Sequence, residues 1–290
     1  MTPAVLWQAT RAYTLPASVV PVALGTVLAA RGYGQVGAGH FDFWIFALTL
    51  VGAMLAHFGA NVLNDYFDFV KGVDTRPEHG SGVITSGLMR PRFALGYALV
   101  LLGSAAICGL FLLHTNRDLL ALVAIGLGCA VLYPTFLKKY ALGDVLVIIA
   151  FGLGLTAGAY EVQAGTADRH ALALVALYSL PVCLLVDAIL HANNLRDAPD
   201  DRAVHVRTLA TLLSDAGGWR LQHFLLFGPV AFVVFGVVTR LLPVWTIATL
   251  LSLPLLVRAA RSGSVPGTAQ THLLFGLLYT GALLLPPVFV

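Results

Sequence analysis

An all-α fold that threads a membrane about nine times is predicted by three features of this 290-residue chain. Charged residues make up only 11% of it, where soluble domains carry roughly 25%. Hydrophobic residues make up 58%, and the mean hydropathy is +0.86. The apolar stretches run unbroken for the roughly 20 residues that a helix needs to cross a bilayer. They lack the alternating ten-residue pattern of membrane barrels, so the spans are helices, which satisfy their own backbone in lipid.

The first span, roughly 13–31, follows Arg11. Its length, and the hydrophobicity that continues beyond it, separate it from a cleaved signal peptide. The second, 43–64, runs into the string Asn61-Val-Leu-Asn64-Asp65-Tyr66-Phe67-Asp68. The third and fourth cover 92–115 and 118–137, and the fifth 141–160; glycines at 126, 128, 152 and 154 permit close helix approach. The sixth, 171–193, leads into Asn193-Asn194-Leu195-Arg196-Asp197-Ala198-Pro199-Asp200-Asp201. The last three cover 220–240, a short 243–258, and 269–289. Pro16, Pro21, Pro229 and Pro254 fall inside spans, where neighbouring helices re-satisfy the backbone. Cys108, Cys129 and Cys183 lie in apolar runs without CxxC spacing and read as buried free thiols. The whole chain, 1–290, reads as a single transmembrane domain.

With nine spans, 13 of the 17 Lys and Arg residues fall on one side and four on the other. The positive-inside rule makes the first side cytoplasmic, places the N-terminus there and sends the C-terminus to the opposite side. The expected location is the inner (cytoplasmic) membrane of a cell. Two polar loops, roughly 65–91 and 194–219, both lie on the cytoplasmic side, four spans apart. Each follows an Asn-rich helix end with spaced aspartates, a weak internal repeat of the kind seen in membrane bundles.

Asp65 and Asp68 are three residues apart and Asp197 and Asp201 four apart, so each pair shares a helical face if the helices continue. Asn61 and Asn64 precede the first pair, with Asp74 after Lys71-Gly72; Asn193 and Asn194 precede the second. Carboxylates gathered in one cavity repel each other unless a cation intervenes. An all-oxygen donor set suits a hard ion such as Mg²⁺, which takes one or two carboxylates plus phosphates and waters. The plainer reading, two solvated acidic loops paired with Lys71, Arg76, Arg196 and Arg202, explains one such pair better than it explains two. Asp187 lies inside the sixth span with His191 four residues on, either a functional group or a structural Asp187–His191 hydrogen bond. His57, four residues before Asn61, has two readings, a lining residue of the same cavity and, preferred, a satisfied core histidine.

These strings resemble the two aspartate motifs of the UbiA superfamily of intramembrane aromatic prenyltransferases. The resemblance runs nearly the whole chain, from Trp7-x-x-x-Arg11 through Tyr133-Pro134 and Leu142-Gly143-Asp144 to Arg207-Thr208-Leu209-Ala210. Within the superfamily it is most similar to the 1,4-dihydroxy-2-naphthoate polyprenyltransferases. Gly72 stands where another branch often has a third aspartate, and His205-Val206-Arg207 where Gly-Lys is usual.

The resemblance implies a UbiA-type bundle around a central cavity facing the cytoplasm, and transfer of a polyprenyl group from its diphosphate to the naphthoate, giving CO₂, diphosphate and demethylmenaquinone. It implies Asp65, Asp68, Asp197 and Asp201 as catalytic Mg²⁺ ligands. Asn61, Asn64, Lys71, Asp74, Lys138, Lys139, Asn193, Asn194, Arg207, Arg11 and Tyr133 would bind the diphosphate and the acceptor. The expected partners are polyprenyl diphosphate, an aromatic acceptor and the lipid bilayer, with no nucleic acid. Two alternatives stay open: transfer to 4-hydroxybenzoate or another acceptor, and a secondary transporter, whose site would sit near the bilayer midplane rather than at its rim.

Overall fold

The computed structural model describes residues 1–34, 39–73, 76–77, 80–115, 119–135, 141–165 and 169–289, leaving aside the side chains of 115, 125, 127 and 130–135. Among the described residues every regular element is helical: α1 (Pro3–Ala9), α2 (Pro16–Ala30), α3 (Phe43–Val70), α4 (Pro91–Thr115), α5 (Leu119–Thr135), α6 (Gly143–Val147), α7 (Leu155–Ala164), α8 (Arg169–Ala203), α9 (Leu209–Leu212), α10 (Asp215–Val238), α11 (Leu253–Ser262) and α12 (Val265–Leu284). A π-helical segment, Ile148–Gly154, joins α6 to α7, and a 3₁₀ segment, Val244–Ser252, leads into α11.

Each of the nine expected spans coincides with a helix or a joined pair, and seven of these are long and apolar enough to cross a membrane. The two outside that set are α5, at 17 residues, and α12, whose first turns carry Thr268, Gln270, Thr271 and His272. The eighth span begins as a 3₁₀ helix because Thr246, Thr249 and Ser252 recur every three residues. All three are fully buried, and each hydroxyl donates to the carbonyl three residues back.

The expected polar loops begin later than the apolar pattern indicates. α3 runs on to Val70 and α8 to Ala203, so both aspartate pairs are helical. At 1.5 Å per residue α3 is about 42 Å long and α8 about 52 Å, well beyond a hydrocarbon core of about 30 Å. α3 starts at Asp42, whose carboxylate accepts from the amides of Trp44 and Ile45. It stops at Gly72, whose φ of +70° closes the end while Val73 N–H donates to the Asp68 carbonyl.

The core forms where α2, α7, α8, α10 and α12 meet, around Leu24, Tyr160, Val182, Leu226, Phe275 and Tyr279. Tyrosine hydroxyls bridge elements at one end: Tyr160 donates to the Tyr33 carbonyl (2.6 Å), Tyr178 to Leu241 (2.7 Å) and Tyr279 to Tyr178 (3.0 Å). A second apolar cluster packs α3 against α4, with Ala9 of α1 and Val83, Ile84 and Met89 of the connecting loop.

α2 lies against α7 so closely that a methyl on Gly25 would collide with the Thr156 carbonyl oxygen. Overpacking of a tight core costs about 1–3 kcal/mol. Gly25→Val is therefore expected to lower the thermal midpoint and the monodisperse yield. Gly103→Val, where an added Cβ meets nothing within 4 Å, should change neither. Equal behaviour of the two variants in thermal unfolding would contradict the packing assignment.

Candidate functional site

Residues three or four apart share a helical face, and two such stripes oppose each other in this bundle. On α3 the stripe is His57, Asn61, Asn64 and Asp68; on α8 it is Leu190, Asn193, Asn194, Asp197 and Asp201. They line one cavity of about 1270 Å³, counting its open mouth. Arg11 and Thr14, ahead of α2, close one side, and Leu146, Val147 and Phe151 of the α6–π helix close another. The cavity is thus polar where the motifs meet and apolar beyond them.

The two motifs use the same local device. Asn64 donates its amide to Asp68 four residues on (2.8 Å), and Asn193 donates to Asp197 four residues on (3.1 Å). Arg196 grips Asp197 through Nε (2.7 Å) and Nη2 (2.8 Å) and also donates to the Asn193 side-chain oxygen Oδ1. Asp68 and Asp201 are buried. Beyond the helix ends Arg76 pairs with Asp200 at 3.2 Å, tying the segment after α3 to the end of α8.

Asp65 is placed differently from the expectation. It is not at the cavity wall: Oδ1 is ion-paired with Arg11 and Oδ2 accepts from the Ser81 amide (3.0 Å). Arg11 holds a left-handed backbone, φ 50° and ψ 45°, to turn its guanidinium inward. Asn61 is at the wall and donates to the Thr10 carbonyl (2.9 Å).

His57 both lines the cavity and is satisfied. Its Nε2 lies 2.8 Å from the Thr14 hydroxyl and its Nδ1 2.7 Å from that of Ser18, and its ring meets Phe151 edge-on. The expected Asp187–His191 bond is corrected: His191 Nδ1 faces Asp144 (3.3 Å), while Nε2 donates to the Gly218 carbonyl (3.0 Å). Asp144 opens α6, so this fully buried histidine ties α6 and α10 to α8 beside the cavity.

Of the other expected site residues, Lys71 is exposed at the end of α3, its ammonium 5.5 Å from the Phe67 ring centre, and Arg207 is exposed; neither lines the cavity. Asp74, Lys138 and Lys139 lie outside the described residues, as does the side chain of Tyr133 in α5. Ser81, Thr14, Ser18 and Phe151 were not anticipated. Ser18 and Thr14 carried a signal, hydroxyls on an otherwise apolar helix that need partners; Ser81 and Phe151 carried none.

The wall offers unmatched groups of both kinds. Asn64 Oδ1, an acceptor, is buried without a partner, and so are two donors, Asn194 Nδ2 and Arg11 Nε. Acceptors suit a cation and donors an anion. No three His, Cys, Asp or Glu side chains among the described residues are gathered closely enough to hold a metal alone. The set suits magnesium completed by ligand phosphates and water, the usual way that ion is bound.

The chain matches the UbiA prenyltransferase family over residues 18–282. It is 32% identical to UbiA prenyltransferase domain-containing protein 1 of Gallus gallus, over 96% of this chain and 84% of that protein. It is 30% identical to the 1,4-dihydroxy-2-naphthoate octaprenyltransferase of Bacillus subtilis (strain 168), over 97% and 92%. A UbiA homolog from Aeropyrum pernix K1, solved in its apo form, has the same fold, with a TM-score of 0.68 at 17% identity over 93% of this chain and 96% of that one.

Arg11 and Asp65 are about one-tenth exposed or less, and removing one partner of a buried ion pair costs about 3–5 kcal/mol. Arg11→Ala is expected to destabilise the protein by roughly that amount, because it strands the Asp65 charge. Adding Asp65→Asn should restore part of the loss, and a double-mutant cycle in thermal unfolding reads the coupling. Strict additivity would show that the pair is not coupled.

Proposed function

Since the chain belongs to the UbiA prenyltransferase family, we propose that it transfers a polyprenyl group from polyprenyl diphosphate to 1,4-dihydroxy-2-naphthoate, releasing CO₂ and diphosphate to give demethylmenaquinone in its reduced, quinol form. The observation that carries this reading is the polar end of the cavity. There two acidic stripes face each other, with unmatched donors and acceptors side by side, as a metal-bound diphosphate requires. The naphthoate acceptor is supported by the sequence motifs and by the relative from Bacillus subtilis.

In this reading Asp68, Asp197 and Asp201 would hold magnesium from the cavity wall, and Asp65 would be a fourth ligand once freed from Arg11. When bound, magnesium supplies positive charge that stabilises the departing diphosphate. Asn194 and Arg11 donate to diphosphate oxygens, and release from Asp65 frees the guanidinium for bidentate contact. Asn61, Asn64 and Asn193 orient these groups. On the motif resemblance alone, Asp74, Lys138 and Lys139 are proposed for the diphosphate and Tyr133 for the acceptor; Lys71 and Arg207, proposed on the same ground, stand off the cavity wall.

The allylic C–O bond breaks with its electrons going to diphosphate, and the acceptor ring carbon that bears the carboxylate forms the new C–C bond. Its carboxylate then leaves as CO₂, restoring the aromatic ring. Phe151, Leu146 and Val147 exclude water from the allylic cation, which would otherwise be quenched. The Lys and Arg distribution supports a cytoplasmic-membrane enzyme with its N-terminus and active site facing the cytoplasm and its C-terminus opposite.

Purified protein should convert geranyl diphosphate and dihydroxynaphthoate to product with release of CO₂, and should act poorly on 4-hydroxybenzoate. EDTA should stop turnover and added Mg²⁺ restore it. Asp68→Ala and Asp197→Ala should each lose roughly a hundredfold or more in rate while remaining folded. Wild-type rates in either variant would overturn the metal assignment, and preference for hydroxybenzoate would overturn the acceptor.

A further inference from the structure

A left-handed backbone is unfavourable for an arginine, so the φ of 50° at Arg11 is imposed by its surroundings. The constraint comes from α3. Asn61 donates to the Thr10 carbonyl at 2.9 Å, which fixes the peptide unit before Arg11. The unit after it is fixed through Thr14, at the end of the 3₁₀ turn Ala12–Thr14. Thr14 returns to the Arg11 carbonyl twice, with its N–H at 2.9 Å and its hydroxyl at 2.8 Å. The Thr14 oxygen is held in turn by two α3 side chains, His57 Nε2 at 2.8 Å and the Asn61 amide at 3.3 Å.

The hydrogens follow from these contacts. A carbonyl oxygen only accepts, so the Thr14 hydroxyl hydrogen points at Arg11. Thr14 Oγ1 therefore accepts from His57, and Nε2 carries the imidazole hydrogen. In the neutral ring Nδ1 is then the acceptor, and the fully buried Ser18 donates to it at 2.7 Å. His57 lines the cavity, but both of its nitrogens are bonded to α2 and the turn before it, so neither faces a bound substrate.

We infer that His57 is a positioning residue: through Thr14 it holds the Arg11 backbone, and so sets where the Arg11 guanidinium can reach. The inference rests on the prenyl-transfer reading above, in which Arg11 exchanges Asp65 for the diphosphate. A guanidinium that changes partners needs a fixed pivot, so that only its side chain moves. Asn61 and His57, one turn apart on α3, supply that pivot from the same helix that carries Asp65.

The test compares wild type with His57→Gln, His57→Asn, Thr14→Val and the double variant His57→Asn/Thr14→Val. A glutamine amide reaches the Nε2 position and still donates to Thr14, whereas asparagine reaches only the Nδ1 position. Calorimetry reads the affinity for magnesium pyrophosphate, kinetics the KM for dihydroxynaphthoate, and thermal unfolding the stability. His57→Asn and Thr14→Val should each weaken pyrophosphate binding about fivefold, the effect of one lost hydrogen bond. The double variant should be no weaker than Thr14→Val, because both changes break one chain. His57→Gln should stay within about twofold of wild type, and the acceptor KM should not change in any variant.

Unchanged pyrophosphate affinity in His57→Asn and Thr14→Val, whatever happens to their thermal midpoints, would overturn the inference. So would additive losses in the double variant, or a rise in acceptor KM alone. Should His57→Asn not be recovered folded, Thr14→Val against wild type decides by the same affinity. If wild type binds no pyrophosphate, the functional reading falls. A thermal-unfolding cycle of His57→Asn with Arg11→Ala then decides the pivot by itself: the two side chains act through Thr14, so coupling supports it and strict additivity rejects it.

Discussion

Among the described residues, five aspartates (Asp65, Asp68, Asp144, Asp187 and Asp201) are buried in a bundle whose core is largely apolar. A carboxylate taken from water is tolerated only where a cation or N–H replaces that water. The neighbourhood is arranged around that requirement. Arg11 adopts a left-handed backbone, a conformation costing about 1–2 kcal/mol for a residue with a Cβ, and turns its guanidinium onto Asp65. Asn64 is spaced to bond Asp68, and His191 spans from α8 to Asp144. The ion pair thus fixes the entry to α2 against the end of α3, and the histidine fixes the start of α6 against α8.

The two longest helices are the two that carry the acidic stripes, and this coincidence is mechanical. A helix that ended at the membrane boundary would present its last side chains from a fraying turn. By overrunning the hydrocarbon core, α3 and α8 hold Asp68, Asp197 and Asp201 on regular helix, where i, i+4 amide contacts keep Asp68 and Asp197 in place. Asp197 receives a further anchor from Arg196, which reaches both carboxylate oxygens.

Hydrophobic length made the spans legible, since a run of apolar residues near 20 has few other uses. Spacing made Asp197 and Asp201 legible as neighbours on one cavity wall, but not the divergence of Asp65, three residues from Asp68, toward Arg11. Where α3 and α8 stop was not legible from hydropathy, which registers the change of polarity at Asn64 and Asn193 but not helicity beyond it. The signals were local instead: Gly72 after α3, and the Thr208 capping box that begins α9 after α8. Partners distant in sequence were beyond reach. Asp65 and Arg11 are separated by 54 positions and His191 and Asp144 by 47, and no periodicity links them. Pro199 reads as a helix stop, yet α8 passes through it to Ala203.

The π-helical turn at Ile148–Gly154 has a consequence for how relatives of this protein diversify. Such a turn is an α-helix carrying surplus backbone, so deleting one residue there would restore ordinary α geometry. The deletion would also swing Leu155–Ala164 by about 100° relative to Gly143–Val147, because each residue of an α-helix subtends that angle. Tyr160 would leave the Tyr33 carbonyl. A length change of one codon, without any substitution, is therefore enough to redraw the interior.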